Sequence, residues 1–268
     1  MTTTEADSLF EQMLVGDYDS DQAWAAVRTL RRQGSQDMFE RAAAWCRSED
    51  PLRRARAVDV LSQLQRAPGS DASGNEPEWM FRDESFLLIT RILENEHNPA
   101  VLSSAIHALG HLNNEHAVPL ILSYHAHPNE NVRFAVAFAL GCFPNHPASV
   151  SGLLKLISDS DSDVRDWAVF GLAVQGNVDS VEIREALIRC LDDVNEDVRE
   201  EAAVGLGKRQ DERLVPKLRM MLDEPELKIR VAEAAGALLR LNQNPIDWQA
   251  SDYKAALVRR FQLRDWGT

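Results

Sequence analysis

The sequence predicts an all-α fold, a right-handed solenoid of about seven stacked helix pairs, and three observations carry that expectation. First, a motif recurs. NPAVLSSAIHALG from Asn98, NENVRFAVAFALG from Asn129, DSDVRDWAVFGLA from Asp161 and NEDVREEAAVGLG from Asn195 share a polar turn, a Val usually followed by Arg, and a run of small apolar residues. ELKIRVAEAAGAL from Glu226 is a fifth copy whose Ala/Gly/Leu part slips by one residue, and EDPLRRARAVDVL from Glu49 is a looser one. Second, the copies keep a period: Val101, Val132, Val164, Val198 and Ile229 are spaced by 31, 32, 34 and 31 residues. Third, a second apolar segment lies between copies, as in SVSGLLKLI from Ser149 or VEIREALIRCL from Val181, with apolar residues at helical spacing such as Leu187 and Leu191. Each unit therefore reads as two short antiparallel helices. One pair cannot bury both of its faces, and stacking its neighbours closes the core.

The elements follow in order. A leading helix near Thr4–Val15 caps the stack, and a first pair spans Asp21–Arg32 and Ser35–Arg47. The second pair opens at Pro51, a favourable first helical position, but its partner, FLLITRILE from Phe86, comes late. Between them RAPGSDASGNEPEWMFRDE, residues 66–84, is rich in Gly, Pro, Ser and Asn and reads as an inserted loop. Trp79, Met80 and Phe81 in this loop either anchor it on the stack or face a partner. Further pairs follow, the last formed by Glu226–Leu241 and a helix from Ser251, with Asn244-Pro245 between them. The amphipathic end, residues 245–268, reads as a C-terminal cap on one continuous domain, 1–268, just as 1–19 reads as the N-terminal cap.

The Asp163-Val164-Arg165, Asp197-Val198-Arg199 and Val132-Arg133 steps, with Ala168, Leu172, Ala202, Leu206, Gly207, Leu140 and Gly141 behind them, resemble the HEAT-like repeats, of the short kind also found in bacterial phycobilin lyases. The resemblance covers roughly residues 20 to 241. It implies the solenoid and says little about function.

Composition narrows the function classes. Net charge is −13, from 42 acidic and 29 basic residues. That argues against nucleic-acid binding, which needs Lys and Arg to displace counterions, and against docking on an anionic membrane. The first residues, MTTTEADSLFEQML, carry no basic n-region, and no run approaches a membrane span, so a cytoplasmic protein is expected. Cys46, Cys142 and Cys190 sit far apart in apolar settings and read as buried reduced thiols.

Candidate chemical sites fail on spacing. The acids Asp159, Asp161 and Asp163 alternate as in a calcium loop, but an EF-hand opening at Asp159 puts Val164 where Gly is needed and Phe170 where Glu is needed. They read instead as a turn and helix cap. His107 and His111 are spaced i, i+4, yet no Glu lies between them as a zinc hydrolase requires, and His111 follows a Leu-Gly that tends to close a helix. One HEAT-like enzyme, the di-iron deoxyhypusine hydroxylase, repeats His-Glu dipeptides in successive helices. The matching positions here are Phe134-Ala135, Asp166-Trp167, Glu200-Glu201 and Val231-Ala232, so that activity is not expected. No GxSxG, P-loop, dinucleotide fingerprint or CxxC occurs. No catalytic residue, metal or cofactor is expected.

What remains is a binding surface. Trp167 occupies a repeat position that holds Ala135, Glu201 and Ala232 elsewhere. A place that accepts a charge reads as partly exposed, so Trp167, flanked by Asp163 and Asp166 and extended by Phe134, is a candidate interface anchor. Glu200 and Glu201 would continue an acidic strip on the next repeat. On the second helices Lys155, Arg189 and Met220 align and are a candidate lining of the concave side. Arg133, Arg165, Arg199 and Arg230 read as a structural ladder to turn acids of adjoining repeats. The expected function is a non-catalytic scaffold for a protein partner of basic character. Two alternatives accompany it: an antidote-type inhibitor of a basic toxin domain, and a lyase-like accessory to a cofactor-bearing protein.

Overall fold

The computed structural model describes residues 2–66 and 78–263. Residues 67–77 of the predicted inserted loop and 264–268 of the predicted C-terminal cap lie outside the described residues. The fold is an all-α solenoid. Among the described residues a leading helix α1 (Thr3–Gln12) is followed by fourteen further α-helices. They fall into two compact units, Met1–Phe143 and Pro144–Thr268.

The N-terminal unit contains α2 (Asp21–Arg31), α3 (Gln36–Trp45), α4 (Pro51–Leu61), α5 (Arg82–Leu93), α6 (Pro99–Leu112), α7 (Val118–Ser123) and α8 (Glu130–Gly141). The C-terminal unit contains α9 (Pro147–Leu156), α10 (Ser162–Phe170), α11 (Val181–Cys190), α12 (Glu196–Lys208), α13 (Val215–Leu222), α14 (Ile229–Leu238) and α15 (Ala250–Phe261). The even-numbered helices are the first members of the pairs. They start where the polar turns put a cap. Asn98, Asn129, Asp161 and Asn195 each accept a backbone N–H of the first turn with the side-chain oxygen, and Pro51 and Pro99 stand where no N–H is missed.

Small residues let the first helices lie flank to flank. A Cβ on Gly110 of α6 would sit 3.0 Å from the Ala139 Cα of α8, and one on Gly207 of α12 would sit 2.5 Å from the Ala234 carbonyl oxygen of α14. The recurring Val is the inward peg of four first helices: Val101, Val132, Val164 and Val198 are fully buried, whereas Ile229, aligned with them by the period, is 86% exposed and Val231 is buried in α14 instead, the register having slipped in this copy. Burial of such a side chain stabilises by roughly 1.5–3 kcal/mol.

The turns before α4, α8, α10 and α12 are held from inside. Arg54, Arg133, Arg165 and Arg199 each donate from Nη1 to the carbonyls six and five residues upstream: Ser48 and Glu49, His127 and Pro128, Asp159 and Ser160, Asp193 and Val194. Arg54 also grips Glu96, and Arg165 grips Asp193, each the acid of the following turn, and each of these acids accepts backbone N–H from its own turn. Arg199 pairs with Glu196 on its own helix. Arg230 departs from the ladder, reaching Glu201 and Glu233 on helices rather than a turn acid.

Three local features differ from the expectation. The residues after the loop return as a short antiparallel ribbon, β1 (Gln65–Arg66) with β2 (Glu78–Trp79), and Phe81 stacks on Phe39 at 4.9 Å. Helix α6 runs on through Gly110 and His111 to Leu112 before Asn113 turns left-handed (φ 52°), because the Gly serves close packing there rather than a stop. Beyond Phe170 the helix α10 widens into a π turn over Gly171–Gln175.

Candidate functional site

Two polar surfaces interrupt the apolar packing, one in each unit.

In the N-terminal unit a cleft of about 720 Å³ opens along the first helices α2, α4, α6 and α8. Its floor is a buried charge network built on α4, where the apolar run ARAVDVL contains Arg56 and Asp59, three residues apart and therefore on one face. Arg56 is fully buried and donates to the carbonyls of Met13 and Tyr18, with Nη1 3.5 Å from Asp59 Oδ2. The Tyr18 hydroxyl donates to the same Asp59 oxygen at 2.8 Å and lies 2.6 Å from Ser104 Oγ. Arg56 also lies over the Tyr18 ring at 4.2 Å and the Trp24 ring at 5.1 Å. Burial pushes the Asp59 carboxyl up, while the Tyr18 hydroxyl and the two arginines, Arg56 and Arg31, pull it down. Arg31 completes the floor, donating to the Asp59 carbonyl, Ser62 and Gln63. His107 and Phe134 form a wall. Nδ1 of His107 lies 3.0 Å from the Ser103 carbonyl, and its ring packs 5.7 Å from Phe134 and 4.9 Å from Phe138. Burial lowers the basicity of both His107 and His111, the latter to about 4, which favours the uncharged imidazole in both at neutral pH.

The C-terminal unit carries the other surface on α10, α12 and α14. Asp163 is exposed, while Asp166, Trp167 and Phe170 are half-buried. The Trp167 and Phe170 rings meet edge-on at 5.6 Å. Across from them Glu200 and Glu201 are each only 8% exposed. The repeat position expected to be partly exposed is half-buried at Trp167 but covered at Glu201: α12 lies between two other first helices, and its charges are covered by cations from α14 and the residue before it. Lys228 lies 3.2 Å from Glu200 and also holds Glu196, while Arg230 bonds Glu201 at 3.0 Å and Glu233 at 2.9 Å. Glu200 and Glu201 form a neutralised layer rather than an open acidic strip. Ala135, at the same repeat position, is also fully buried. Phe134 lies in the N-terminal unit, in the wall of its cleft. Lys155, Arg189 and Met220 are exposed on α9, α11 and α13.

Asp166 and Glu201 are electrostatically unusual. Burial, with Asp197 and Asp163 nearby, raises the Asp166 carboxyl to about 6. Burial raises Glu201 to about 7, opposed by Arg230 and reinforced by Asp166. The acids of the opening turn behave differently. Asp161 caps α10 by accepting the N–H groups of Asp163 and Val164, and Asp159 accepts from the Asp161 N–H. Among the described residues no group of three His, Cys, Asp or Glu side chains could hold a metal ion. Burial pushes the three thiols up, Cys46 to about 12 and Cys142 and Cys190 to about 11, so they remain protonated.

Of these features, sequence reasoning found the Trp167 neighbourhood and missed the cleft. The available signal was Arg56 and Asp59: two charges set into the buried face of an otherwise apolar helix.

Paired helices, self-anchored turns and polar surfaces along the first helices define a repeat scaffold. The chain belongs to the HEAT repeat family, whose model matches residues 87–173 and 150–239. It is similar to protein YibA of Escherichia coli K12, 28% identical over 238 residues, which is 87% of this chain and 80% of that protein. The X-ray structure of E. coli YibA matches with a TM-score of 0.71 at 25% identity, over 94% of this chain and 92% of that one. An archaeal HEAT-like repeats protein from Thermococcus onnurineus NA1 matches with a TM-score of 0.51 at 17% identity, over 87% of this chain and 95% of that one, a likeness of fold alone.

Proposed function

We propose that this HEAT-repeat chain is a non-catalytic scaffold that binds a protein partner of basic character through its C-terminal unit. The carrying observation is where the negative charge falls. From Asp159 to Glu201 there are thirteen acids and four basic residues, Arg165, Arg184, Arg189 and Arg199, a surplus of nine. Arg165 and Arg184 are each committed to acids and carbonyls of the scaffold. Four cations from outside this stretch, Arg213, Lys217, Lys228 and Arg230, pair with five of these acids, so the surplus of nine falls by four to five, with Asp163 and Asp197 among the exposed acids; that negative field speeds encounter with a positive surface. No helix among the described residues is long and apolar enough to cross a membrane. A tight inhibitor of one small basic domain is a narrower form of the same reading.

The test is salt-dependent retention of a bound protein by the tagged chain, compared with an Asp163→Lys/Asp197→Lys variant. A basic partner held at low salt, released by added salt and lost from the variant supports the reading. A partner retained equally by both proteins removes the acidic face from the interaction.

A further inference from the structure

The cleft of the N-terminal unit carries an unbalanced positive charge. Two guanidiniums, Arg31 and Arg56, meet at its floor around the single carboxylate of Asp59. Arg56 stands 3.5 Å from that carboxylate. Arg31, half-buried in the cleft, reaches only neutral acceptors, the Asp59 carbonyl, Ser62 and Gln63, and among the described residues it forms no ion pair. A charge drawn out of water without a counter-charge is costly. Asp19, the other acid of the lining, is exposed and screened by solvent. The field of Arg31 extends into the cleft: after burial, it is the strongest influence holding the His111 imidazole down.

Hydrogen-bond donors are left over as well. A guanidinium carries five N–H groups and Arg31 spends three, so two remain. The Trp24 indole N–H donates to no group among the described residues. The two donor groups are neighbours, with the Arg31 guanidinium carbon 5.6 Å from the centre of the Trp24 ring, a spacing that one carboxylate can bridge. A monoanion cancels the surplus, whereas a doubly charged phosphate overshoots it and an ammonium adds to it. Around these donors the lining is apolar or ring-shaped, with Trp24, Pro99, Ala100, Ala108 and Phe134, and a volume of about 720 Å³ is of the size that holds small organic ligands. We propose that this cleft binds an aromatic carboxylate, whose anionic head pairs with Arg31 and the Trp24 indole N–H and whose ring lies beside Pro99 and Ala100. The site stands apart from the scaffold reading, which concerns the C-terminal unit.

The probe is cinnamate, titrated into the full-length chain while the Trp24 indole N–H is followed by NMR and assigned with Trp24→Phe. Cinnamyl alcohol and cinnamylamine keep the flat body and change the charge. The expected result is a saturable shift with cinnamate, weaker by about tenfold or more with the alcohol and the amine, and lost in Arg31→Gln and in Ala100→Trp. Ala100 is exposed on α6, and its replacement fills the cleft without touching the charge network, so it decides the matter even if Arg31→Gln fails to fold. An unchanged Tm shows that Ala100→Trp is folded. The absence of a saturable shift with cinnamate overturns the proposal. So does equal binding of the alcohol, which leaves an apolar cavity, equal binding of the amine, which reverses the charge preference, or a shift that survives in Ala100→Trp, which puts the probe elsewhere.

Discussion

Arg165 grips Asp193 with two nitrogens, Nε and Nη2, each at 2.8 Å, while its remaining amino group holds the carbonyls of its own turn. Both side chains are 12% exposed. One guanidinium therefore fixes two successive turns, and Asp193 passes the constraint on by accepting the Asn195 N–H.

Arg165→Met should destabilise the chain by about 2–3 kcal/mol, because it strands Asp193 and two turn carbonyls together. Asp193→Asn should cost less, since the amide oxygen still accepts. Urea denaturation checks both, and the double variant should cost less than the two singles added.

Acid should weaken this contact. The Arg165 hydrogen bond holds the Asp193 carboxyl below its usual range. Its contribution is complete above the ordinary aspartate range near 4, and is lost as pH falls through the lower folded value. Melting temperature should drop more steeply below pH 4 in the parent than in Asp193→Asn.

Asp166 and Glu201 should have the opposite slope. Their folded carboxyls titrate near 6 and 7, above the unfolded values, so the folded chain binds the extra protons. Their ionisation penalty is present in full above about pH 7 and disappears as pH falls towards 4. Asp166→Asn/Glu201→Gln should therefore raise stability at pH 8, by on the order of 1–2 kcal/mol after allowing for solvent screening of the half-buried Asp166, and leave it unchanged near pH 4. Urea midpoints at the two pH values decide it.

The buried network on α4 should be intolerant of halving. Asp59→Ala leaves Arg56 fully buried without its carboxylate and should cost roughly 3–5 kcal/mol. Tyr18→Phe removes one donor to Asp59 and should cost about 1–2 kcal/mol. Guanidinium unfolding monitored by far-UV circular dichroism measures both.

Gly207→Ala should cost about 1–3 kcal/mol, although Ala is the better helix former. The new methyl would meet the Ala234 carbonyl oxygen and push α12 from α14. The midpoint of thermal unfolding reads this out.

The repeat was legible because its packing is periodic: Val101, Val132, Val164 and Val198 perform the same burial in four copies, and a period survives in sequence; the period misplaces Ile229, which is exposed while Val231 is buried. The burial of Glu201 was not legible. Its position admits Ala, Trp or Glu, and whether a charge there is open or covered depends on Arg230, a residue 29 positions away on another helix. The cleft was hidden for a similar reason. Tyr18 meets Asp59 across 41 residues and Ser104 across 86, distances at which no local pattern speaks. The ribbon that seats Phe81 on Phe39 lies in a segment whose composition signals only a loop.

The arginine that holds its own turn and the next one also explains how such a chain can change length. The stretch from Asp159 to Asp192 carries its own guanidinium, Arg165, and its own leading carboxylate, Asp159. A tandem duplication of that stretch would present each new arginine with a new aspartate in the following turn. The joint is a reusable coupling, and evolution by copying segments needs no new contact to be invented at the seam.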